Sequence, residues 1–159
     1  MLRAVGLSLV IALPASAAVA DSFYARYLAP PCYTRTYDAA HLAAHPQQRV
    51  TSFYVVDSGP GNAASVQDFV VSFGFTVKDS GDVYASAASC QAVPQGVQCW
   101  VDGDGGTFTL EGNGGGLRVR VGDHLTVEGA TSFSPDLGQG GDDKVILLYP
   151  DQALACRPF

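Results

Sequence analysis

Hydrophobic and polar residues alternate in three short runs between residues 97 and 129, and glycine-rich segments separate the runs. The runs are residues 107–111, 117–121 and 124–128, with apolar members Phe108, Leu110, Leu117, Val119, Val121, Leu125 and Val127. A period of two places alternate side chains on opposite faces of a β-strand. The intervening EGNGGG and VGD segments supply the positive φ angles that tight turns require. The pattern therefore predicts an antiparallel meander of three strands.

Five other segments have the composition of strands, namely residues 50–56, 69–77, 83–88, 97–101 and 144–149. In the second of these, Phe69, Val71, Phe73, Phe75 and Val77 share one face. The first and the last are apolar on both faces, which predicts a strand that is buried on both sides or lies under the helix for the first, and a central or covered strand for the last. With the meander, these segments indicate about eight strands.

One short helix is predicted over residues 37–46. Asp38 is a good N-cap, the following residues are rich in alanine, and Pro46 ends the helix. A helix of two turns is not stable alone, so we expect it to dock through Tyr37 and Leu42.

The fold class that follows is all-β. About eight antiparallel strands in a chain of this length form either a two-sheet β-sandwich or a small closed β-barrel. The apolar faces carry no interspersed polar residues of the kind that a ligand cavity needs, and this favours the sandwich.

The N-terminal residues have the layout of a secretory signal peptide. Arg3 precedes an apolar run over residues 4–13, and small residues follow up to Ala20. The apolar run is shorter than the roughly 20 residues that span a bilayer, so we expect no stable membrane span after cleavage. The predicted organisation is a signal peptide at 1–20, a lead-in segment at 21–31 and a disulfide-bonded β domain at 32–159, located in the periplasm or secreted.

Charge narrows the range of partners. The chain has 9 basic and 15 acidic residues, and loss of Arg3 with the signal peptide leaves a net charge of −7. An acidic surface disfavours nucleic acid and anionic membranes, which both need a cationic face. A basic protein would fit, although such a charge also simply keeps an exported protein soluble.

Four cysteines follow the signal peptide, which in an exported chain indicates two disulfides. Three pairings are possible. We favour Cys90–Cys99, which closes a local loop, and Cys32–Cys156, which joins the start of the domain to its end. Zinc is the competing interpretation, but the chain has no C-x₂-C pair.

Two further patterns bear on metal ions. His41 and His45 are four residues apart on the predicted helix, a spacing that can present two imidazoles to zinc, but the glutamate of HExxH is absent. Asp102 and Asp104 resemble the start of a calcium loop, but the later positions of an EF-hand do not match. Asp142 and Asp143 are further candidate ligands. A helix C-terminus that favours a cationic His45, and ordinary turn chemistry at the aspartates, explain these residues without a metal.

No catalytic residue is predicted. The chain has no G-x-S-x-G motif, and its three histidines show no catalytic spacing. A hydrolase would need a cleft that joins a histidine to a serine or an aspartate.

A run of residues, YDAAHLAAHPQQRV at 37–50, followed by Cys99, DGG at 104–106, DDKV at 142–145 and Cys156, resembles small exported proteobacterial proteins of unassigned function. The resemblance implies one exported β domain and no catalytic residue. Within it, His41, His45, Asp142 and Asp143 are the first positions to test.

The function expected from these observations is non-enzymatic: an exported β domain that binds a partner, such as a cationic protein, through acidic loops. One alternative is a β-barrel carrier for a small ligand or a metal such as calcium or zinc. The other is a hydrolase.

Overall fold

A computed structural model describes residues 23–28, 32–58, 68–152 and 156. Its strands are β1 (Cys32–Thr36), β2 (Val50–Asp57), β3 (Asp68–Val77), β4 (Tyr84–Val93), β5 (Gly96–Val101), β6 (Gly106–Asn113), β7 (Gly116–Leu125) and β8 (Val145–Asp151). Each strand pairs antiparallel with the next, and β8 pairs with β1 to close a barrel. The all-β fold is confirmed. The predicted signal peptide at 1–20 lies outside the described residues.

The barrel is closed but its interior is filled, so the preference for a sandwich is wrong. Phe73 on β3 and Phe108 on β6 belong to strands far apart around the barrel, yet their ring centroids are 4.9 Å apart. Phe53 and Phe75 stack beside them at 5.7 Å. An eight-stranded barrel is just narrow enough for side chains to fill it. The purely apolar inward faces indicated a packed core, and they are compatible with either architecture.

The number of strands agrees with the prediction, but their identity differs at two places. Leu117–Val121 and the following run are not separate strands, because β7 continues through Gly122 to Leu125. The register between β6 and β7 shifts there, so the VGD segment is an irregularity within a strand and not a turn. Residues 126–128 leave the sheet. The strand that the sequence analysis missed is β1, which closes the barrel.

The predicted helix is present as α1 (Ala39–Ala44). Asp38 caps it, since its carboxylate accepts a 2.7 Å hydrogen bond from the His41 amide. No residue of α1 is buried, and of the two expected anchors Tyr37 packs on the core cluster. Two further short elements are a π-helix (Tyr24–Leu28) within the lead-in segment and a 3₁₀-helix (Gly141–Lys144) before β8.

Both predicted disulfides form. Cys90 and Cys99 face each other across the β4–β5 pair, with Cα atoms 4.1 Å apart. Cys32 and Cys156 are joined across a sequence separation of 124 and cover Tyr54 on the outside of the barrel. None of the described helices has the length and apolarity needed to cross a bilayer. Two disulfides are consistent with export.

The outer face of β8 differs from the prediction. Residues 144–149 are apolar on both faces, but only Ile146 and Leu148 are buried in the barrel. Val145 and Tyr149 point outward and are 44% and 49% exposed. The outer face of this strand is therefore an open apolar surface rather than a covered one.

Candidate functional site

The connections β1–β2, β3–β4, β5–β6 and β7–β8 lie at one end of the barrel because successive strands are antiparallel. An open cleft of about 710 Å³ lies at this end. It is lined by residues of the β5–β6 turn, by His124 and residues 126–128, and by Phe133. We call it the acidic cleft, because the side chains of Asp102, Asp104 and Glu128 line it.

A buried carboxylate shapes one wall of the acidic cleft. Asp82 accepts four hydrogen bonds of 2.9–3.1 Å, from the amides and hydroxyls of Thr131 and Ser132. The bond from the Thr131 amide contributes most to lowering the pKa of Asp82, and the other three lower it further. Glu128 and Phe133 form a β-bridge across this loop. The loop therefore presents Phe133 at the edge of the cleft, where it is 69% exposed.

A chain of three polar side chains lies along the same cleft. Asp136 Oδ2 is 2.7 Å from His124 Nδ1, and His124 Nε2 is 2.6 Å from Thr126 Oγ1. The amides of Leu125 and Gly138 also donate to Asp136. This is the order acid, imidazole, hydroxyl, which general-base catalysis at a hydroxyl uses.

The pKa values of His124 and Asp136 are shifted from their ordinary values. The hydrogen bond to Asp136 raises the pKa of His124, so the imidazole stays protonated to a higher pH. Burial alone would raise the pKa of Asp136, but hydrogen bonds from Leu125, His124 and Gly138 outweigh it and hold that pKa well below its usual range. Only the neutral imidazole can act as a general base, and the higher pKa of His124 enlarges its protonated fraction at any given pH.

None of the three carboxylates of the acidic cleft forms a direct ion pair in the described part of the chain, although Asp104 lies close enough to His124 to help raise the pKa of that imidazole. The ion pairs found there join Arg49 to Asp143, Arg118 and Arg120 to Glu111, His45 to Asp142, and His124 to Asp136. Asp102, Asp104 and Glu128 are all exposed. Together with Phe133, they form an anionic surface with an aromatic edge.

A second concavity lies where β1 and β8 separate. It has a volume of about 250 Å³, and we call it the seam groove. It is lined by Arg35, Tyr37, His41, His45, Gln48, Asp142, Val145, Leu147 and Tyr149. Three of the four residues proposed as metal ligands, His41, His45 and Asp142, therefore do come together.

The ring nitrogens of His41 and His45 do not point toward a common position at which one metal ion could bind. The His41 and His45 rings stack with centroids 4.3 Å apart and an interplanar angle of 21°. The lone pair of an imidazole nitrogen lies in the plane of the ring. The lone pairs of two stacked, nearly parallel rings therefore lie in separate planes and do not meet at one point. His45 Nδ1 pairs with Asp142 at 3.4 Å, and His41 Nε2 bonds to Gln48 at 3.0 Å. Among the described residues no group of three or more potential ligands is arranged to hold a metal.

Asp143 is a structural carboxylate, although the sequence suggested a ligand. It is fully buried and accepts hydrogen bonds from the amides of Arg49 and Val50 and from the Arg49 guanidinium. The aspartates proposed as calcium ligands lie at two different places. Asp102 and Asp104 line the acidic cleft, whereas Asp142 lines the seam groove.

Several residues that line these two surfaces were not among the predicted site residues, namely Arg35, Tyr37, Thr126, Phe133 and Tyr149, and neither was Asp136, which bonds to His124. For two of them, the sequence contains a feature that could have indicated the site. Tyr149 lies on a strand that is apolar on both faces, and Thr126 follows His124 at the spacing that places side chains on one face of an extended chain.

A scan against protein-family models and searches of curated proteins and of solved structures found no match to this chain.

Proposed function

We propose that this protein is an exported, non-enzymatic binding domain whose acidic cleft holds lysine or arginine side chains of a basic partner protein. Export follows from the predicted signal peptide and is consistent with the two disulfides. The observation that carries the proposal is the set of three exposed carboxylates, unpaired within the described ranges, around one concave surface.

The edge of the acidic cleft supports the same class of partner. A large exposed hydrophobic residue beside polar ones is typical of a protein interaction site, and Phe133 is the most exposed of the large hydrophobics described. The alkyl stem of a lysine or the plane of an arginine can lie against an aromatic ring while its charge meets a carboxylate. The filled interior of the barrel weighs against the carrier alternative, because it leaves the aromatic rings in contact across the lumen.

Neutralising the acidic cleft should weaken binding of a cationic probe. We expect the triple variant D102N/D104N/E128Q to bind an octalysine peptide roughly 10- to 100-fold more weakly, since each exposed pair contributes about 0.5–1 kcal/mol. Calorimetric titration at low ionic strength measures the affinity, and added salt should reduce the affinity of the wild type more than that of the variant.

The matched control is D79N/D123N/D142N, which removes three exposed carboxylates that do not line the acidic cleft. Its net charge equals that of the cleft variant. If both triple variants lose the same affinity, only the overall charge attracts the peptide and the cleft has no role.

A second candidate is hydrolysis, and the Asp136–His124–Thr126 chain is the observation in its favour. Two features rank it second. The raised pKa of His124 lowers the fraction of neutral imidazole that is available to accept a proton. The neighbouring carboxylates of Asp102 and Asp104 would also repel the oxyanion of an acyl transfer.

Turnover of p-nitrophenyl acetate separates the two candidates. For a binding domain, we expect the wild type, T126S and T126V to release p-nitrophenol at the same background rate. A hydrolase that uses Thr126 would retain turnover in T126S and lose roughly 10³-fold or more in T126V, because only the serine preserves a hydroxyl. That loss would overturn the binding proposal for this cleft.

A further inference from the structure

We infer that the seam groove is a second binding site, independent of the acidic cleft, for a saccharide that carries a carboxylate, with Arg35 as the residue that holds the carboxylate.

The groove exists because the closing pair of strands is short. β1 and β8 pair only from Cys32 and Asp151 to Thr34 and Tyr149. Beyond Thr34, β1 continues along β2, and Tyr37 bonds to Thr51 before α1 begins. The first residues of β8 pair with β7 on their other side. A wedge therefore opens between β8 on one wall and Tyr37 with α1 on the other.

Arg35 lies in this wedge with an unsatisfied donor. Its Nε is buried and is the one buried side-chain nitrogen or oxygen in the described ranges that has no hydrogen-bond partner. Leaving a buried donor unpaired costs about 1–3 kcal/mol, and more when the group is charged. Its guanidinium carbon lies 4.8 Å from the Tyr37 ring centroid and 5.5 Å from that of Tyr149. The two tyrosines orient the guanidinium but leave its Nε–H edge unpaired.

No carboxylate in the described part of the chain forms an ion pair with Arg35. Asp142, which lines the same groove, pairs with His45 at 3.4 Å, and the buried Asp143 pairs with Arg49 at 2.9 Å. An arginine fork binds a carboxylate through two parallel N–H groups. A ligand carboxylate placed along the Nε edge would therefore satisfy the one buried side-chain donor that is left without a partner among the described residues.

The other lining groups favour a hydroxylated ring over a purely apolar acid. The Gln48 amide nitrogen donates to the Val50 carbonyl, so its oxygen accepts from His41 Nε2. With its hydrogen on Nε2, the uncharged form of the ring has its lone pair on Nδ1, which can accept a hydrogen bond from a ligand hydroxyl. Val145 and Tyr149 add exposed apolar area against which the C–H face of a sugar ring can lie. A volume of about 250 Å³ suits one ring rather than a drug-sized molecule.

Entry of the carboxylate requires a movement that can be measured. Because Arg35 Nε is closed off from solvent, a neighbouring side chain must move before a carboxylate can reach it, and we expect this to be the half-exposed Tyr149, whose ring centroid lies 5.5 Å from the guanidinium carbon. Binding should therefore shift the resonances of both the Arg35 Nε–H group and the Tyr149 ring.

The test is an NMR titration of the oxidised protein with sodium glucuronate and, separately, with glucose. We expect glucuronate to give a saturable shift of the Arg35 Nε–H resonance at millimolar concentration, and glucose to give none. R35K keeps the charge but loses the fork, and we expect at least 10-fold weaker binding. Tyr149→Ala changes an exposed side chain, so the fold should persist, and we expect weaker binding because the lost contact with the sugar ring outweighs the easier access to Arg35 Nε.

The matched control is R120K, because Arg120 is an outward-facing arginine of β7 paired with Glu111. It should bind glucuronate as the wild type does. The proposal is overturned if glucuronate gives no saturable shift, if glucose shifts the resonance equally, or if R35K and Tyr149→Ala, folded by their spectra, bind like the wild type.

Discussion

Replacing Cys32 and Cys156 together with serine should lower the free energy of unfolding by about 5 kcal/mol. The bond closes a loop with a sequence separation of 124, and in the chain-entropy account the stabilisation grows with the logarithm of the loop length. The same bond covers Tyr54 and Val56 outside the barrel, so its loss also exposes apolar surface. Urea unfolding of the oxidised proteins measures the change.

The paired variant C90S/C99S provides the comparison. Its bond has a separation of only 9 and joins two residues that the β4–β5 pair already places opposite each other. We expect a loss of about 3 kcal/mol. Equal losses, or a larger loss at the short loop, would show that loop length does not govern the stabilisation here.

Asp143→Ala should destabilise the protein by about 2–4 kcal/mol, because two backbone amides lose their acceptor while the partly exposed Arg49 can still meet water. The substitution leaves the amides of Arg49 and Val50 without an acceptor, and the Arg49 guanidinium without its carboxylate. Asp143→Asn should cost less, because an amide oxygen can still accept from the two backbone N–H groups. Urea unfolding again gives the free energies.

Asp142→Ala is the matched control, since it removes the neighbouring carboxylate of the same 3₁₀-helix. Asp142 is 43% exposed and pairs with the half-exposed His45, so we expect a change below about 1 kcal/mol. If the two alanine variants are equally stable, the hydrogen bonds of Asp143 do not contribute as the geometry indicates.

The same network connects the base of the seam groove to the acidic cleft. Arg49, which pairs with Asp143, also donates a 2.7 Å hydrogen bond from Nη2 to the Asp136 carbonyl. The Asp136 carboxylate in turn is hydrogen-bonded to His124 Nδ1 and to the Leu125 amide. Loss of Asp143 should therefore loosen the β7–β8 connection that carries both surfaces, and not only the start of β2.

Local patterns accounted for much of the barrel. The alternation in residues 69–77 identified the inward face correctly at Val71, Phe73, Phe75 and Val77, because the two-residue period of a strand needs no knowledge of its neighbours. The cap at Asp38 was predictable for the same reason, since donor and acceptor are three residues apart. The Cys90–Cys99 pair followed from a short loop and an even number of cysteines in an exported chain.

The closure of the barrel, and the set of residues that line each concavity, depend on contacts between residues that are distant in the sequence. Alternation is the same in a sandwich and in a barrel, and only the pairing of β1 with β8 separates them. Asp142 and Asp143 are adjacent and chemically identical, yet one faces the seam groove and the other is buried beside Arg49, more than 90 residues earlier in the chain. Arg35 and Tyr149 meet only because the barrel closes, so no local pattern could show that this arginine lacks an acceptor. Strand period and helix caps depend on near neighbours along the chain, whereas grooves and unpaired donors depend on which distant strands become adjacent.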